Sequence, residues 1–356
     1  MITLTLTYRN RDLNIVEKCL DSLNKQTSKD FKVILVDYGS HDNFSKTLKS
    51  CVKKYSFIQL VYCPVEGQLW NKSRAINIAL QQCDTPYFLV GDIDLIFHSD
   101  FIETANNLAS EDVYYFKYSF LSQNESLKNK KFINYKIDFE GNNEVTGTTL
   151  FSTAKLKSVN GYDEFYHGWG AEDTDIHIRL KKLGLKVHYY TENILLKHQW
   201  HPKAYRNKNS SSPFHSNLER INHSYMYLTK NNKIVSANTN ESWGSLPKEE
   251  DYLKLLRVPD FVIKIKPIDS DFSALLAHLK NCNGKVVDIK INKVGFKDKN
   301  TQSLKKVLKK KFYNYLDLET VNNLLLEEII KNYRSKPYKY KFDRVKGSIN
   351  LIIYFN

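Results

Sequence analysis

The chain has 356 residues, of which 42% are hydrophobic and 13% aromatic, a composition typical of a globular protein with one large domain or two. Its formal net charge of +14 favours anionic partners, such as small phosphates, lipid headgroups, a membrane surface or nucleic acid. No nucleic-acid recognition motif accompanies this charge, so we do not expect nucleic acid as a partner.

The cysteines and the apolar segments indicate a cellular location. Five cysteines are scattered along the chain, and no two are spaced as in a Cys-x-x-Cys motif, so we expect reduced core thiols rather than disulfides or a zinc site. The N-terminus alternates like a strand rather than a signal peptide, and no apolar run approaches the roughly 20 residues of a bilayer span. We therefore expect a cytoplasmic protein, soluble or peripheral on the inner face of the cell membrane.

The first part of the chain alternates between strand and helix patterns. The predicted strands are Ile2–Thr7, Phe31–Asp37, Phe57–Tyr62 and the run that ends at Asp92, with a helix between each pair. This βαβ alternation predicts an α/β fold, with a mainly parallel sheet flanked by helices. Ligands of such sheets bind at the carboxyl ends of the strands, where polar side chains cluster in this sequence. No GxGxxG motif follows the first strand, so the usual dinucleotide site is not expected.

Two carboxylates, Asp92 and Asp94, lie inside an otherwise apolar run from Pro86 to Phe97. An unpaired buried carboxylate costs several kcal/mol, so this placement requires a partner. Residues i and i+2 share one face of an extended chain, and carboxylate oxygens suit a divalent cation. The run therefore predicts a metal site, with a surface turn carrying two solvated acids as the alternative.

A second polar centre surrounds Trp169, which lies between Gly168 and Gly170. Two glycines allow the backbone and the indole to approach a ligand closely. Glu172 and Asp173 follow in the first turn of a predicted helix. Interaction with the helix dipole would explain acids at that position, but it would not require the neighbouring tryptophan.

Two histidines, His198 and His201, follow a predicted strand at a spacing of i and i+3. A lone histidine is usually a satisfied core or surface residue. In a chain that already contains an Asp-x-Asp motif, a pair of histidines indicates metal ligands, and imidazole can complete a site suited to Mn²⁺.

The block from Asn160 to Asp175 reads Asn-Gly-Tyr, then Gly-Trp-Gly-Ala-Glu-Asp. With the upstream Asp-x-Asp and the downstream histidines, it resembles inverting glycosyltransferases of the GT-A fold, family 2 type. Within these it is most similar to the β-1,4-galactosyltransferase and chondroitin polymerase group. The likeness covers about residues 2–202, and it departs from the family at Ala171, where glycine is common, and at Tyr8.

The resemblance implies a UDP-sugar donor, a glycan or lipid-linked saccharide acceptor, and Mn²⁺ or Mg²⁺ as cofactor. It also implies a role for each matching residue. Asp173 would be the general base and Glu172 a ligand of a sugar hydroxyl, while Trp169 and Tyr166 would contact the acceptor. Asp94 and His198 would bind the metal, with Asp92 and His201 as further candidates. The nucleotide-sugar would contact Thr7, Tyr8, Arg9, Asp37, Asn71, Lys72, Arg74 and Asp92.

These inferences predict an enzyme that transfers a hexose or N-acetylhexosamine to a hydroxyl group, with inversion, in bacterial surface polysaccharide synthesis. The cation would stabilise the departing diphosphate, and the base would take the proton of the attacking hydroxyl. The alternatives are an Asp-x-Asp phosphohydrolase and a non-catalytic protein that binds glycan or lipid.

The remaining segments show no catalytic pattern. We expect residues 1–230 to form the catalytic domain, 231–249 a linker, and 250–356 a small α+β domain of unknown role. Residues 124–143 are polar and predicted as a loop, residues 207–213 read like a linker, and residues 304–330 are predicted as helix. Residues 304–313 are basic and amphipathic, which is typical of a solvated helix face or of contact with anionic lipid or a polyanionic acceptor.

Overall fold

A computed structural model describes residues 1–142, 147–202 and 213–356. The chain divides into two compact units. Unit 1 comprises residues 1–63, 70–204 and 219–246, and unit 2 comprises residues 64–69, 205–218 and 247–356. The division into folding domains stays a prediction. The compact units differ from it, because residues 64–69 and, among the described residues, 213–218 group with the C-terminal part. Most of the predicted linker-like stretch, residues 207–212, lies outside the described residues.

Unit 1 is built on a seven-stranded sheet with the strand order β10-β6-β9-β4-β1-β2-β3. Strands β1 to β4 run parallel, β9 is antiparallel to both β4 and β6, and β10 is parallel to β6. The predicted α/β class with a mainly parallel sheet is therefore confirmed. The strands are β1 (Ile2–Tyr8), β2 (Phe31–Tyr38), β3 (Ile58–Cys63), β4 (Tyr87–Asp92), β6 (Val113–Phe116), β9 (Thr149–Ser152) and β10 (Val187–Tyr190).

Helices cover both faces of this sheet. Alternate residues of β1, including Leu4 and Leu6, form one apolar cluster with α1, α2 and α4. Helix α3 contacts β1 and β2 but is not part of that cluster, so it covers the opposite face. The helices of unit 1 are α1 (Leu13–Asn24), α2 (Asp42–Val52), α3 (Lys72–Gln81), α4 (Phe101–Leu108), α5 (Gln123–Ser126), α6 (Thr153–Ser158), α7 (Glu172–Lys182) and α8 (Leu218–Asn231).

A second sheet in unit 1 has the order β5-β11-β7-β8, with β5 (Leu95–Phe97), β7 (Ser119–Phe120), β8 (Phe139–Glu140) and β11 (Leu196–His198). Strand β8 and helix α5 lie within the segment predicted as a loop, so that prediction is wrong in part. The buried carboxylate of Glu125 explains the order of this segment, because it binds the ammonium groups of Lys128 and Lys130 and the backbone N–H of Lys136. These charge-assisted bonds hold a polar segment in one conformation.

Unit 2 contains a four-stranded sheet with the order β12-β13-β15-β14. Strands β12 and β13 are parallel and the other pairs are antiparallel, which gives the α+β character predicted for this part. Its elements are α9 (Glu249–Leu253), β12 (Phe261–Ile265), α10 (Asp269–Leu279), β13 (Val286–Asn292), α11 (Phe296–Val307), α12 (Leu318–Glu328), β14 (Tyr338–Asp343) and β15 (Ser348–Tyr354).

The single helix predicted over residues 304–330 is instead two helices. Helix α11 ends at Val307, where Lys309 takes a left-handed conformation with φ of 51°. Helix α12 starts after Asp317, whose carboxylate accepts a hydrogen bond from the backbone N–H of Thr320. An acid in this position is a common N-cap, and it favours a new helix start. Among the described residues, no helix is both long and apolar enough to cross a membrane.

Candidate active site

The carboxyl ends of β1, β2 and β4 bring the predicted polar clusters together. In the sheet register, Thr7 lies opposite Asp92 on one side, and Tyr8 lies opposite Asp37 on the other. The loop after β1 is tied to the loop after β2, because the Asn10 backbone N–H donates to Ser40 Oγ at 3.0 Å. The parallel order of the strands thus assembles one polar edge from three distant segments of the chain.

Asp92 and Asp94 lie on the two sides of a strand end. Asp92 is the last residue of β4, and Asp94 belongs to the turn that leads into β5. The extended conformation assumed in the sequence prediction stops at Asp92, so the two carboxylates have different partners. Strand β5 pairs antiparallel with β11 in a register that puts Leu95 opposite His198. This register places His198 beside Asp94.

Asp94, His198 and His201 form a cluster whose potential ligand atoms all lie within 4.8 Å of one another. Nε2 of His198 lies 3.4 Å from Asp94 Oδ1, and Nε2 of His201 lies 3.1 Å from Asp94 Oδ2. One carboxylate oxygen and two imidazole nitrogens are a donor set that suits Mn²⁺ and similar divalent ions. The residues present therefore fit the expected metal, and both predicted histidines lie at the site. Asp92 is not part of this cluster.

Asp94 lies beside two imidazoles and one guanidinium group. Burial alone would raise the pKa of Asp94, but His198, His201 and Arg11 together hold that pKa below its ordinary value. Nη2 of Arg11 lies 3.1 Å from Asp94 Oδ2. Sequence reasoning missed Arg11, although it follows the predicted Arg9 by two residues in the loop after β1. Burial also lowers the pKa of His198, which favours the neutral imidazole that a metal requires.

Asp92 forms an ion pair with Lys72, whose Nζ lies 2.6 Å from Asp92 Oδ1. Burial would lower the pKa of Lys72, but Asp92 and Glu172 outweigh this and raise it. A Cβ added to Gly147 would lie 2.8 Å from Asp92 Oδ2, so a side chain at that position would displace the carboxylate. Glycine at this position thus leaves room for Asp92 at the edge of the sheet.

Glu172 and Asp173 begin α7, close to the Lys72–Asp92 pair. The preceding residue, Ala171, has φ of 73°, a left-handed conformation that positions the helix start after the Trp169 turn. Burial and the neighbouring Asp173 raise the pKa of Glu172 to about 7. A carboxyl group with this pKa exchanges its proton near neutral pH, as proton-transfer chemistry requires.

Tyr118 links the two groups of carboxylates. Its ring stacks on His198 with the centroids 5.6 Å apart. Burial raises the pKa of Tyr118, and Asp92, Asp94, Asp173 and Glu172 raise it further. All four carboxylates therefore act electrostatically on the same buried phenol. No sequence pattern indicated Tyr118, because it lies in an aromatic run that resembles an ordinary strand.

The Trp169 turn holds its indole at the surface, with 46% of the residue exposed. The side chain of Asn222, on α8, donates hydrogen bonds to the carbonyl groups of His167 and Trp169. By contrast, the predicted acceptor residue Tyr166 is buried in a cluster with Ala171 and Met226, because α8 covers its ring. Trp169 is therefore exposed to solvent, whereas Tyr166 is not.

The residues predicted to bind the nucleotide-sugar fall into two groups. Thr7, Arg9, Asp37, Lys72 and Asp92 lie at the polar edge. Asp37 is buried, which raises its pKa, while Ser40, Ser45 and Arg9 act in the opposite direction.

The other three predicted nucleotide-binding residues contact protein groups. Asn71 caps α3 by accepting a hydrogen bond from the backbone N–H of Arg74 and donates to the carbonyl group of Glu164. Arg74 is buried within 4.0 Å of Glu164, and the Tyr8 hydroxyl donates to the carbonyl group of Arg11.

Two family models match parts of the chain. Residues 4–159 match the family described as Glycosyl transferase family 2, and residues 129–201 match the N-terminal domain of galactosyltransferase. The matched segments, which together span residues 4–201, are similar to glycosyltransferase domains. This confirms the predicted glycosyltransferase class and the resemblance to family 2 and galactosyltransferase sequences.

Individual relatives match parts of this glycosyltransferase. Chondroitin sulfate synthase 3 from Homo sapiens is 26% identical over 202 residues, which are 53% of this chain and 22% of the relative. The teichoic acid poly(glycerol phosphate) polymerase of Staphylococcus epidermidis is 33% identical over 97 residues, or 26% of this chain and 12% of the relative. The chain thus spans less than a quarter of either curated relative.

A solved structure also aligns with the chain. The mannosyltransferase PcManGT from Pyrobaculum calidifontis, in complex with GDP-Man and Mn²⁺, has a TM-score of 0.43 and 14% identity. The alignment covers 64% of this chain and 69% of that one.

Proposed function

We propose that this glycosyltransferase moves a hexose or N-acetylhexosamine from a UDP-sugar to a hydroxyl group, with inversion and with a divalent cation. The observation that carries the proposal is the cluster of Asp94, His198 and His201 beside a second, separate group of carboxylates. A transferase of this type needs a cation for the diphosphate and a base for the acceptor. The site provides residues for both.

Asp94, His198 and His201 would hold Mn²⁺ or Mg²⁺, which when bound supplies Lewis-acid stabilisation of the departing diphosphate. Thr7, Arg9 and Asp37 would position the nucleoside at the ends of β1 and β2. Asp92, held by Lys72, would contact the ribose or the donor sugar.

Asp173 would remove the proton from the acceptor hydroxyl. As the acceptor oxygen bonds to the anomeric carbon, the bond from that carbon to the diphosphate oxygen breaks, and UDP leaves with the electron pair. Attack from the face opposite the leaving group inverts the anomeric centre. Glu172, with its pKa of about 7, would hydrogen-bond a sugar hydroxyl. Trp169 would stack on the acceptor sugar, because its indole is exposed beside α7.

The two alternative functions have less support. A phosphohydrolase of the Asp-x-Asp type requires a nucleophilic aspartate after the first strand. Here Tyr8, Arg9, Asn10 and Arg11 come first, and Asp12 accepts a hydrogen bond from Asn14 as the cap of α1. A non-catalytic binding protein would have no need for two separately tuned carboxylate groups.

The test is to incubate the protein with a panel of UDP-sugars and Mn²⁺ and to measure UDP release. We expect release with at least one donor, and we expect EDTA to abolish it. Release of inorganic phosphate, or UDP release that survives EDTA, would contradict the proposal. The anomeric configuration of the product, measured by NMR, tests inversion separately.

We further propose that the acceptor is a bacterial surface glycan or its lipid-linked precursor. The support is the sequence similarity to a teichoic acid polymerase from Staphylococcus epidermidis. Transfer of a radiolabelled sugar to a polyprenyl diphosphate saccharide, measured by extraction into butanol, would support this acceptor. Transfer only to water-soluble oligosaccharides without a lipid would contradict the lipid-linked form.

A further inference from the structure

Unit 2 exposes a compact patch in which apolar and basic side chains alternate, and we call residues 304–313 the basic patch. Five large apolar residues in it are between 40% and 78% exposed: Leu304, Val307, Leu308, Phe312 and Tyr313. Five lysines are interleaved with them, at positions 305, 306, 309, 310 and 311. No acidic residue occurs between Asp298 and Asp317, so the positive charge is not balanced locally in the sequence.

The backbone folds these residues back on one another. The N–H of Lys310 donates to the carbonyl group of Lys305, and the N–H of Lys309 donates to that of Lys306. This pair of hydrogen bonds, with Lys309 in the left-handed conformation, is a Schellman motif that ends α11 and reverses the chain. The reversal brings Phe312 beside the last turn of α11, where Lys306 Nζ lies 5.6 Å from the centroid of its ring. The apolar residues therefore form one patch rather than two.

We propose that the basic patch binds the surface of an anionic bilayer. Lysines near such a surface are attracted to phosphate-bearing lipids, and the apolar side chains between them can enter the headgroup and acyl boundary. A soluble polyanion would satisfy the lysines alone and would leave five apolar side chains in water. The combination of charge and exposed apolar surface therefore favours a membrane over a polyanionic chain.

The test uses the full chain and vesicles of phosphatidylglycerol mixed with phosphatidylcholine, with cosedimentation as the measurement. We expect binding to the anionic vesicles and little binding to pure phosphatidylcholine. Replacing three lysines with glutamine (K305Q/K309Q/K311Q) should weaken vesicle binding by about 100-fold, since each lysine near an anionic surface contributes severalfold. The matched control removes the same charge elsewhere in unit 2, at exposed lysines (K264Q/K280Q/K346Q), and should bind nearly as the parent does.

A second variant, V307S/L308S, separates a membrane from a soluble polyanion. Both side chains are exposed, so this variant should keep its fold, and we expect it to weaken vesicle binding by about 10-fold or more. Its affinity for soluble polyphosphate should equal that of the parent. The proposal is overturned if the parent does not bind anionic vesicles, if V307S/L308S binds them as tightly as the parent, or if both lysine variants lose binding equally.

Discussion

The pKa values of two carboxyl groups in the candidate active site, Asp94 and Glu172, are shifted in opposite directions. Asp94 is surrounded by His198, His201 and Arg11, which keep its pKa below the ordinary value despite burial. Glu172 is half-buried, and desolvation together with the charges of Asp173 and Asp92 raises its pKa to about 7. The same functional group is therefore held as an anion at one position and near its protonation midpoint at the other.

This contrast explains how one group of carboxylates could serve two chemical roles. A carboxylate that stays ionised among imidazoles suits a metal cation, whereas a carboxyl group that titrates near neutral pH suits proton exchange with a hydroxyl. The environment of each group, more than its residue type, separates the proposed metal ligand Asp94 from Glu172, the neighbour of the proposed base Asp173. The following predictions test this separation.

The largest effect on activity is expected at the proposed metal ligand Asp94. Asp94→Asn keeps the size of the side chain but removes the charge that the cation requires, so we expect transfer activity to fall by at least about 1,000-fold. Steady-state UDP release at saturating Mn²⁺ is the measurement. Asp42→Asn, at an exposed position on α2, is the control and should retain parent activity. Activity of Asp94→Asn within 10-fold of the parent would remove the metal role from this residue.

On the base side, Asp173→Asn should lower the rate of transfer by about 100-fold to 10,000-fold, because general base catalysis contributes in this range. Donor binding, measured by titration calorimetry with a UDP-sugar, should stay close to that of the parent. Glu172→Gln should have the smaller effect on rate, since a glutamine can still hydrogen-bond a hydroxyl. If Glu172→Gln loses more activity than Asp173→Asn, the base is Glu172.

Helix α7, which carries the proposed base, also contains a buried ion pair. Nε of Arg179 lies 2.7 Å from Asp175 Oδ2, and its other nitrogens donate to the carbonyl groups of Val159 and Gly161. Arg179→Met leaves Asp175 buried without its partner, and we expect a loss of about 3–5 kcal/mol in the free energy of unfolding. Chemical denaturation of both proteins gives this difference. A double variant, Asp175→Leu with Arg179→Met, should recover part of the loss, which a general packing defect would not allow.

A smaller effect concerns the pH dependence of stability. The pKa of Glu172 is raised in the folded state. Its contribution to the free energy of unfolding is therefore fully present below pH 4.5, the ordinary pKa of a glutamate, and is lost as pH rises through about 7. Between pH 5 and 7, the free energy of unfolding of the parent should therefore fall relative to Glu172→Gln by up to about 1.4 kcal/mol per pH unit. Denaturation curves across this range measure the slope. Parallel curves for the two proteins would show that Glu172 does not titrate there.

The sequence predicted the parts of this site that depend on local pattern. Strand periodicity located the sheet edge that carries Thr7, Asp37 and Asp92, and the family 2 resemblance indicated the Trp169 block. His198 was expected beside Asp94 with His201 as the fallback, and the structure places both imidazoles near that carboxylate.

The parts that the sequence did not reveal depend on tertiary contacts. Arg11 lies in a loop, Tyr118 in the short connection between β6 and β7, and Asn222 in a helix, and none has a distinctive spacing. The i and i+2 argument for Asp92 and Asp94 assumed an extended chain, but the strand ends between them, so Asp92 pairs with Lys72 instead. Burial of Tyr166 follows from the position of α8, which no local pattern indicates.

The most direct test of the proposed metal site is to measure Mn²⁺ binding in the presence of UDP by electron paramagnetic resonance. We expect one bound Mn²⁺ per chain. Binding should be weakened at least about 100-fold in Asp94→Asn and in the His198→Ala/His201→Ala double variant. The exposed-site variant Asp42→Asn should bind as the parent does. Mn²⁺ binding of parent strength in both active-site variants would contradict the assignment of the cation to Asp94, His198 and His201.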